Sequence, residues 1–363
     1  MTILFRYLLR EYARIFLLCF TALLTIYLVI DFFEKIRRFL RYDSGIVPLL
    51  TYFALKIPAV SLQIAPLAIL MATLLTLGLL SRNNEITAMR SCGISLFWIT
   101  SPFLFFATGV TLILLAFSST IIPLASEKAE EVRQVQIERN PAPFTVKAIK
   151  PWARISADAI MRINEVGVKG ETLRGLHFFY FDHAFRLERM TEAAEAHYTP
   201  EGWVLSNGNH RRFQPDNTVD QILFNEQSVD IPLIPYDFST SLAGNSETMT
   251  FRQIRNYVGR FRDEGLSFAR LLTDYYGRLA FPFVTVIMVF VGIALSLRRS
   301  GVRGRSMAMG IGQAFIVGFC YWTTHSIAIA LGRGGVLAPM LAGWLANVLF
   351  LSFSLYLLLR VRY

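Results

Sequence analysis

The chain has 363 residues, of which 54% are apolar and only 17% are charged, and its net charge is +10. A soluble globular domain carries about 25% charged residues, so this composition excludes one, and it excludes disorder and a coiled coil as well. The apolar residues gather towards both ends, while most acidic residues lie between about Ser126 and Gly265. The sequence therefore predicts a membrane protein with a water-soluble insert.

Six segments are apolar and long enough to cross a bilayer core, which takes about 20 helical residues. They run approximately over Ile15–Phe33, Ile57–Leu80, Leu96–Pro123, Leu271–Leu297, Met307–Leu331 and Val336–Leu359. The first is too long for a removable signal peptide and lacks a small-residue cleavage site, so we expect it to remain as a span.

A basic cluster follows the first span and consists of Lys35, Arg37, Arg38 and Arg41. Long basic side chains at the end of a span can anchor it at the level of the lipid headgroups. Guanidinium groups also bind phosphate through paired hydrogen bonds. The residues alone leave both interpretations open.

The loop between spans two and three predicts a helix of about two turns. Its end signals are a capping Asn83 or Asn84, an acidic Glu85 in the first turn and Gly93 as a stop. Ile86 and Met89 share one face of this helix. Because so short a helix is marginal in water, it needs a membrane surface or a partner's groove, unless it is simply a solvated connector.

The insert reads as β structure. The strand-like runs are Ala159–Val166, Leu173–Phe181, Arg186–Ala194, Trp203–Leu205 and Val219–Phe224. The turn signals between them are Lys169-Gly170, Asp182-His183, Pro200-Glu201-Gly202, Asn207-Gly208 and Pro215-Asp216-Asn217. This spacing predicts an all-β sandwich or a partly open barrel, with exposed strand edges that a partner could extend. Four aromatic residues favour a plain core over a lipid-lined interior: Phe178, Phe179, Phe181 and Trp203.

Three patterns mark the return to the membrane. Thr250 and Gln253 fit a capping box that opens an amphipathic helix. Span four begins with a four-residue stripe of Arg270, Asp274 and Arg278, which can pair with one another and anchor the interface. Span five carries a stripe of small residues, Gly310, Ala314 and Gly318, which favours close packing of helices, within the chain or at a moving gate.

The distribution of Lys and Arg in short loops predicts the orientation. With the N-terminus inside, eleven basic residues lie on the cytoplasmic side: Arg6, Arg10, Arg14, Arg82, Arg90, Arg298, Arg299, Arg303, Arg305, Arg360 and Arg362. Six lie outside: Lys35, Arg37, Arg38, Arg41, Lys56 and Arg333. Both termini are therefore expected in the cytoplasm and the insert in the periplasm. The basic charge is explained by topology, so nucleic-acid binding is not predicted.

Signatures of catalysis are absent from the sequence. It contains no G-x-x-x-x-G-K-[ST], H-E-x-x-H or G-x-S-x-G motif. The histidines lack the spacing of metal ligands, and none of the three cysteines falls in the insert. We therefore expect no catalytic residue, no metal site and no cofactor bound by this chain. His325, inside span five, is expected to pack against a neighbouring helix through a hydrogen bond.

Residues 84–95, NEITAMRSCGIS, closely resemble the coupling loop of the LptF/LptG family of lipopolysaccharide export permeases. Residues 6–11, RYLLRE, resemble the opening of that family, and residues 276–282, YGRLAFP, resemble the start of its fourth span. The closing segment Gly335–Pro339 is more similar to the LptG branch than to the LptF branch. The resemblance extends over nearly the whole chain.

The resemblance implies a fold: a polytopic α-helical membrane protein with six transmembrane helices and an inserted periplasmic β-jellyroll domain. The expected domains are residues 1–125 with spans one to three, residues 126–265 with the β domain and its connecting helix, and residues 266–363 with spans four to six.

The resemblance also implies a function. The chain would be one permease of an ATP-binding-cassette exporter that extracts lipopolysaccharide from the bacterial inner membrane. The implied partners are a paralogous permease in a heterodimer, a cytoplasmic ATPase dimer that uses ATP and Mg, a single-span LptC-like jellyroll protein, an LptA-like periplasmic bridge, and lipopolysaccharide itself.

The same resemblance implies three sets of functional residues. The helix that docks on the ATPase contains Asn84, Glu85, Ile86, Met89 and Arg90, with Glu85 as the coupling acid. The basic cluster Lys35, Arg37, Arg38 and Arg41 contacts lipid A phosphate, although Asp31 departs from the lysine that some members carry nearby. The stripe Gly310, Ala314 and Gly318 belongs to the lateral gate.

Two other functions stay open. A secondary transporter for another anionic lipid or solute would predict paired intramembrane acids or broken helices. A scaffold or sensor without transport would leave the short helix and the outer basic cluster without a purpose.

Overall fold

The computed structural model describes residues 2–39, 45–137, 145–147, 152–156, 158–167, 170–182, 185–214, 218–229, 231, 250–255, 269–297 and 307–360. The chain divides into two compact units. The first joins Met1–Glu138 to Thr250–Tyr363 and is helical, and the second is the β unit Arg139–Met249.

The main helices of the first unit, within the described residues, are α1 (Thr2–Phe39), α2 (Ile46–Arg82), α3 (Glu85–Ser91), α4 (Leu96–Ala116), α5 (Ile122–Glu131), α6 (Ala269–Ala280), α7 (Val284–Leu297), α8 (Met307–Arg333) and α9 (Pro339–Leu359). A π-helical turn, Phe117–Ile121, joins α4 to α5, and a second, Val132–Ile137, follows α5. A 3₁₀ turn, Phe281–Phe283, joins α6 to α7.

Six helical stretches in the described part of the chain are long and apolar enough to cross a membrane, as the sequence predicted. They are Ile3–Arg37, Ile46–Arg82, Leu96–Glu131, Ala269–Leu297, Met309–Arg333 and Pro339–Leu359. The first three extend beyond the predicted bounds. The extra residues of the first and third spans include charged flanking turns, whereas those of the second span, 46–56, carry no charge apart from Lys56.

Helix α2 forms the centre of the helical unit. It is the most buried of the six spans and packs against α1, α7 and α8. Polar contacts supplement this packing, because the Tyr12 hydroxyl on α1 lies 3.0 Å from Thr73 Oγ1 on α2. Two prolines, Pro58 and Pro66, lie inside α2. A second apolar cluster joins α1, α2 and α5 around Phe39, Tyr52 and Ile137.

The predicted capping box is confirmed. The backbone N–H of Thr250 donates to Gln253 Oε1 at 2.6 Å, and the backbone N–H of Gln253 donates to Thr250 Oγ1 at 3.4 Å. The helical turn that they open is described over 251–255. The rest of the predicted amphipathic helix lies outside the described residues.

The β unit contains one antiparallel sheet in its described part. Its strands are β1 (Thr145–Lys147), β2 (Trp152–Ser156), β3 (Ala159–Gly167), β4 (Thr172–Phe181), β5 (Leu187–Thr199), β6 (Gly202–Phe213) and β7 (Val219–Val229). The order is β1-β3-β4-β5-β6-β7, and β2 also pairs with β3. An all-β insert between the helices is therefore confirmed. Strands β3 to β7 form a meander of sequence neighbours, whereas β1 and β2 both pair with β3. Closure into a jellyroll stays a prediction.

One predicted turn is wrong. Asn207 and Gly208 lie inside β6, which pairs with β5 and β7 in constant register on either side of them. Asn207 has the positive φ of a turn residue, 54°, but the strand continues past it because β5 and β7 pair with β6 on both sides. The local turn signal is outweighed by pairing on both sides.

One face of the sheet holds the apolar core of the β unit, which includes Met161, Phe178 and Trp203. Phe178 and Trp203 are fully buried, so the interpretation as core residues is confirmed for both. Phe179 and Phe181 are only partly buried and contact Trp152 and Phe185, respectively. Charged cross-strand pairs such as Arg174–Glu195, at 2.9 Å, also stabilise the ladders.

Candidate functional site

Helix α3 has the length and the stop that the sequence predicted. The N–H of Gly93, at φ +80°, donates to the carbonyl of Arg90, and the N–H of Ile94 donates to that of Met89. These bonds form a Schellman motif, in which glycine accommodates the left-handed residue. The predicted side-chain cap is wrong, because Asn84 sits at the N-cap with φ 60° and makes no capping bond.

The carboxylate of Glu85 is held by two donors. Tyr7 on α1 donates its hydroxyl to Oε2 at 2.9 Å, and Asn83 donates its side-chain amide to Oε1 at 3.2 Å. Sequence reasoning missed Tyr7 as a site residue. It lies in the family-like opening RYLLRE, but no local pattern links it to a residue 78 positions later.

Helix α3 packs on its own chain. Met89 is buried in the main apolar core, and Ile86 packs against that core, which confirms that the two share a face. Arg90 is exposed and helps to line a cavity of about 370 Å³. The remaining walls come from α2, α3, α4 and α7: Leu77, Ser81, Ile86, Thr87, Ser91, Leu96, Ser296 and Leu297. The short helix is thus supported by the spans and presents its polar face outward.

The basic cluster after span one includes a buried acid. Asp31 accepts from Lys35 Nζ at 2.7 Å and from Lys56 Nζ at 2.8 Å. The ammonium of Lys35 therefore has a carboxylate partner within its own chain, and Lys56 is a further cation that sequence reasoning did not place here. Arg37 is exposed on α1. The side chain of Arg38 and all of Arg41 lie outside the described residues.

The stripe of small residues on α8 faces α2. Ala314 is fully buried, and a Cβ at Gly318 would lie 2.9 Å from Leu67 Cδ1. At Gly310 a Cβ would lie 3.9 Å from the Cβ of Leu74, which is ordinary contact. These contacts support packing within the chain. The large exposed apolar residues of α8 are Met309, Phe315, Ile316, Phe319, Trp322, Ile327 and Leu331.

The charged stripe at the start of α6 makes contacts with other elements. Asp274 is buried and accepts from Arg333 Nε, at the end of α8, at 2.6 Å. Arg278 donates to the carbonyl of Ser118 in the π-helical turn at 2.8 Å. Arg270 is exposed. The stripe thus ties α6 to two neighbouring segments.

His325 packs among rings. Its ring lies 5.4 Å from that of Phe281 and 5.9 Å from that of Tyr321, between centroids. The predicted hydrogen bond is absent at Nδ1, which is buried and has no partner among the described residues. Within all the described residues, no group of three or more His, Cys, Asp or Glu side chains could hold a metal ion. The lack of a cofactor stays a prediction.

Comparison with known proteins finds one family that matches both halves of the helical unit and the insert between them. The family model described as lipopolysaccharide export system permease LptF/LptG matches residues 6–360. The chain belongs to the LptF/LptG family. The match includes the short helix α3, the basic cluster after span one and all six spans.

Two relatives that carry the name LptG are consistent with the predicted LptG-like character of the chain. The lipopolysaccharide export system permease protein LptG of Escherichia coli is 23% identical over 316 residues, which cover 85% of this chain and 84% of the relative. The LptG protein of Haemophilus influenzae is 22% identical over 342 residues, which cover 92% of each. The LptG-like closing segment agrees with both. This LptF/LptG chain is therefore a multi-pass permease of a lipopolysaccharide export system.

Proposed function

We propose that this chain is one permease subunit of an ATP-binding-cassette exporter in the bacterial inner membrane. In this proposal it extracts lipopolysaccharide and passes it to a periplasmic jellyroll bridge. A separate cytoplasmic ATPase dimer hydrolyses ATP with Mg, and a paralogous permease completes the membrane cavity. An LptC-like single-span protein and an LptA-like bridge protein are the remaining partners.

The observation that carries the proposal is the construction of α3. This helix of seven residues anchors Met89 in the core of the spans and exposes Thr87, Ala88 and Arg90. A helix with one anchored and one exposed face can receive a force from a partner and transmit it to the spans. Family membership supplies the reason to expect an ATPase as that partner.

The charges support an orientation with both termini in the cytoplasm and the β unit in the periplasm. Eleven basic residues flank the proposed inner side and six the outer side. Three of the outer six have acidic partners, since Lys35 and Lys56 contact Asp31 and Arg333 contacts Asp274. The outer basic residues therefore oppose this orientation less than their number indicates.

The basic cluster is the proposed contact for lipid A phosphate. Asp31 offsets one of the two lysine charges beside it, so this part of the cluster keeps a net positive charge. Arg37 is exposed at the same end of α1 and has the guanidinium geometry that binds phosphate in pairs of hydrogen bonds. Arg38 and Arg41 complete the proposed set.

A pull-down of the tagged chain in mild detergent tests the proposal, with proteins and lipids identified by mass spectrometry. We expect a paralogous permease, a P-loop ATPase and lipopolysaccharide. Glu85→Lys should release the ATPase, because it replaces the proposed coupling acid of α3 with a cation. Glu201→Lys, on the exposed turn between β5 and β6, is the matched control and should retain it.

Recovery of the wild-type chain without any ATPase would overturn the proposal and favour a secondary transporter of an anionic lipid or solute. Loss of the ATPase from both charge-reversal variants would show that Glu85 has no special part in the docking.

A further inference from the structure

One side-chain hydrogen bond joins helix α3 to α1 within the described residues. The Tyr7 hydroxyl donates to Glu85 Oε2 at 2.9 Å, and no other side-chain hydrogen bond joins α1 to α3 within the described residues. Tyr7 lies in the second turn of α1, next to the proposed cytoplasmic end of the span. This contact therefore connects the start of span one directly to the proposed docking helix.

The contact is not a by-product of core packing. Leu8 and Tyr12, on the buried face of α1, are 0% exposed, whereas Tyr7 is 44% exposed. Leu8 and Tyr12 therefore pack α1 against the other helices, whereas the Tyr7 side chain contacts α3 through its hydroxyl. A hydrogen bond from a phenol to a carboxylate is charge-assisted and stronger than one between neutral groups.

Each carboxylate oxygen of Glu85 is assigned to a different element. Oε2 accepts from α1 through Tyr7, and Oε1 accepts from Asn83 in the connection between α2 and α3. A carboxylate has about four acceptor positions, so a donor from a partner could bind Glu85 without displacing either residue. The same side chain can then face the partner and remain tied to span one.

We propose that Tyr7 is a positioning residue that makes α1 move together with α3 when the ATPase acts on Glu85. The inference rests on the proposed function and adds a second route for the force. Besides passing through α2 and α4, which are joined to α3 by the chain itself, the movement reaches α1 through one hydroxyl. The hydrogen bond from Tyr7 thus joins α1 directly to α3, in addition to the packing of α1 against α2.

The first experiment measures lipopolysaccharide release and ATP hydrolysis together, using the full complex in proteoliposomes. Tyr7→Phe should leave assembly and hydrolysis unchanged and lower the lipopolysaccharide released per ATP by about threefold to tenfold, the effect expected for the loss of one typical hydrogen bond. Tyr12→Phe is the matched control, since it removes a buried hydroxyl contact between α1 and α2. It should affect thermal stability and leave the release per ATP unchanged.

The second experiment measures the joint movement itself. Spin labels are placed at Arg10→Cys on α1 and at the native Cys92, which is the C-cap of α3, after replacement of Cys19 and Cys320; both labelled positions are exposed. The distance between the labels should be the same with and without nucleotide in the otherwise wild-type complex. In Tyr7→Phe it should change with nucleotide, because α3 moves and α1 does not follow.

The outcomes separate the two proposals. If the wild-type chain neither binds an ATPase nor releases lipopolysaccharide, the proposed function fails. If the wild type does both and Tyr7→Phe matches it in release per ATP and in label distance, only the role of Tyr7 is overturned. Equal losses in Tyr7→Phe and Tyr12→Phe would also overturn it, since they would indicate general packing of α1.

Discussion

Asp274 and Arg333 form an ion pair of 2.6 Å between residues 59 positions apart. The Asp274 carboxylate is 4% exposed, while the Arg333 side chain is 47% exposed. The pair fastens the start of α6 to the end of α8. The free-energy cost of desolvation therefore falls almost wholly on Asp274, and Arg333 remains largely hydrated.

Arg333→Gln should therefore destabilise the chain by about 1–3 kcal/mol, because a buried carboxylate loses its guanidinium partner. Thermal unfolding in detergent measures the loss. Adding Asp274→Asn should recover part of it, and the double-mutant cycle gives the coupling between the two residues. Strictly additive effects would contradict the importance of the pair.

Gly343 is predicted to tolerate no side chain. A Cβ there would lie 2.7 Å from the backbone carbon of Tyr276 and 2.9 Å from the nitrogen of Gly277, so α9 and α6 would have to separate. Gly343→Ala should lower the midpoint of thermal unfolding, with a cost of about 1–3 kcal/mol for overpacking. Gly109→Ala on α4 is the control, since nothing lies within 4 Å of its added Cβ. Helix propensity alone would make both variants more stable, so an unchanged or raised midpoint for Gly343→Ala would contradict the close packing.

Gly318→Leu should destabilise the isolated chain, because the new side chain would meet Leu67 and push α8 away from α2. The expected cost is about 1–3 kcal/mol, again by overpacking. Gly310→Ala should be neutral, since its Cβ makes only ordinary contact with Leu74. Unfolding of the single chain should be compared with recovery of the heterodimer. Normal stability of the chain with loss of the heterodimer would assign the stripe to the interface between permeases.

Substitutions in the outer basic cluster should have unequal effects on substrate contact. Lys35 is already bound to Asp31, whereas Arg37 is exposed at the same end of α1. Arg37→Ala should therefore reduce photocrosslinking to lipopolysaccharide more than Lys35→Ala, and Arg37→Glu combined with Arg38→Glu should reduce it further. Crosslinking yield per molecule of complex is the measurement. Unchanged yield in the double variant would favour a headgroup anchor.

Local features of the helical unit were predictable from sequence. An apolar run of about 20 residues reports a span by itself. Gly93 predicts the end of α3 because the Schellman motif is formed only by residues next to it in the sequence. The common face of Ile86 and Met89 follows from helical spacing alone. The family resemblance then identified which of these local elements carry function.

Long-range contacts were not predictable in this way. Nothing near Tyr7 in the sequence indicates Glu85, and nothing near Asp31 indicates Lys56, because these pairs depend on how separate helices pack. The Asn207-Gly208 signal failed for a related reason. A dipeptide specifies a local backbone preference, whereas the ladders with β5 and β7 decide whether the strand continues.

The two prolines of α2 determine how that central helix can transmit a displacement. Pro58 and Pro66 have no backbone N–H, so the carbonyls of Ala54 and Leu62 lose their helical donors. A helix bends most readily where its ladder is interrupted. Both interruptions lie between Ile46 at one end of α2 and Arg82, beside α3, at the other. We therefore expect a displacement of the Arg82 end to reach the Ile46 end partly as bending of α2 near Pro58 and Pro66.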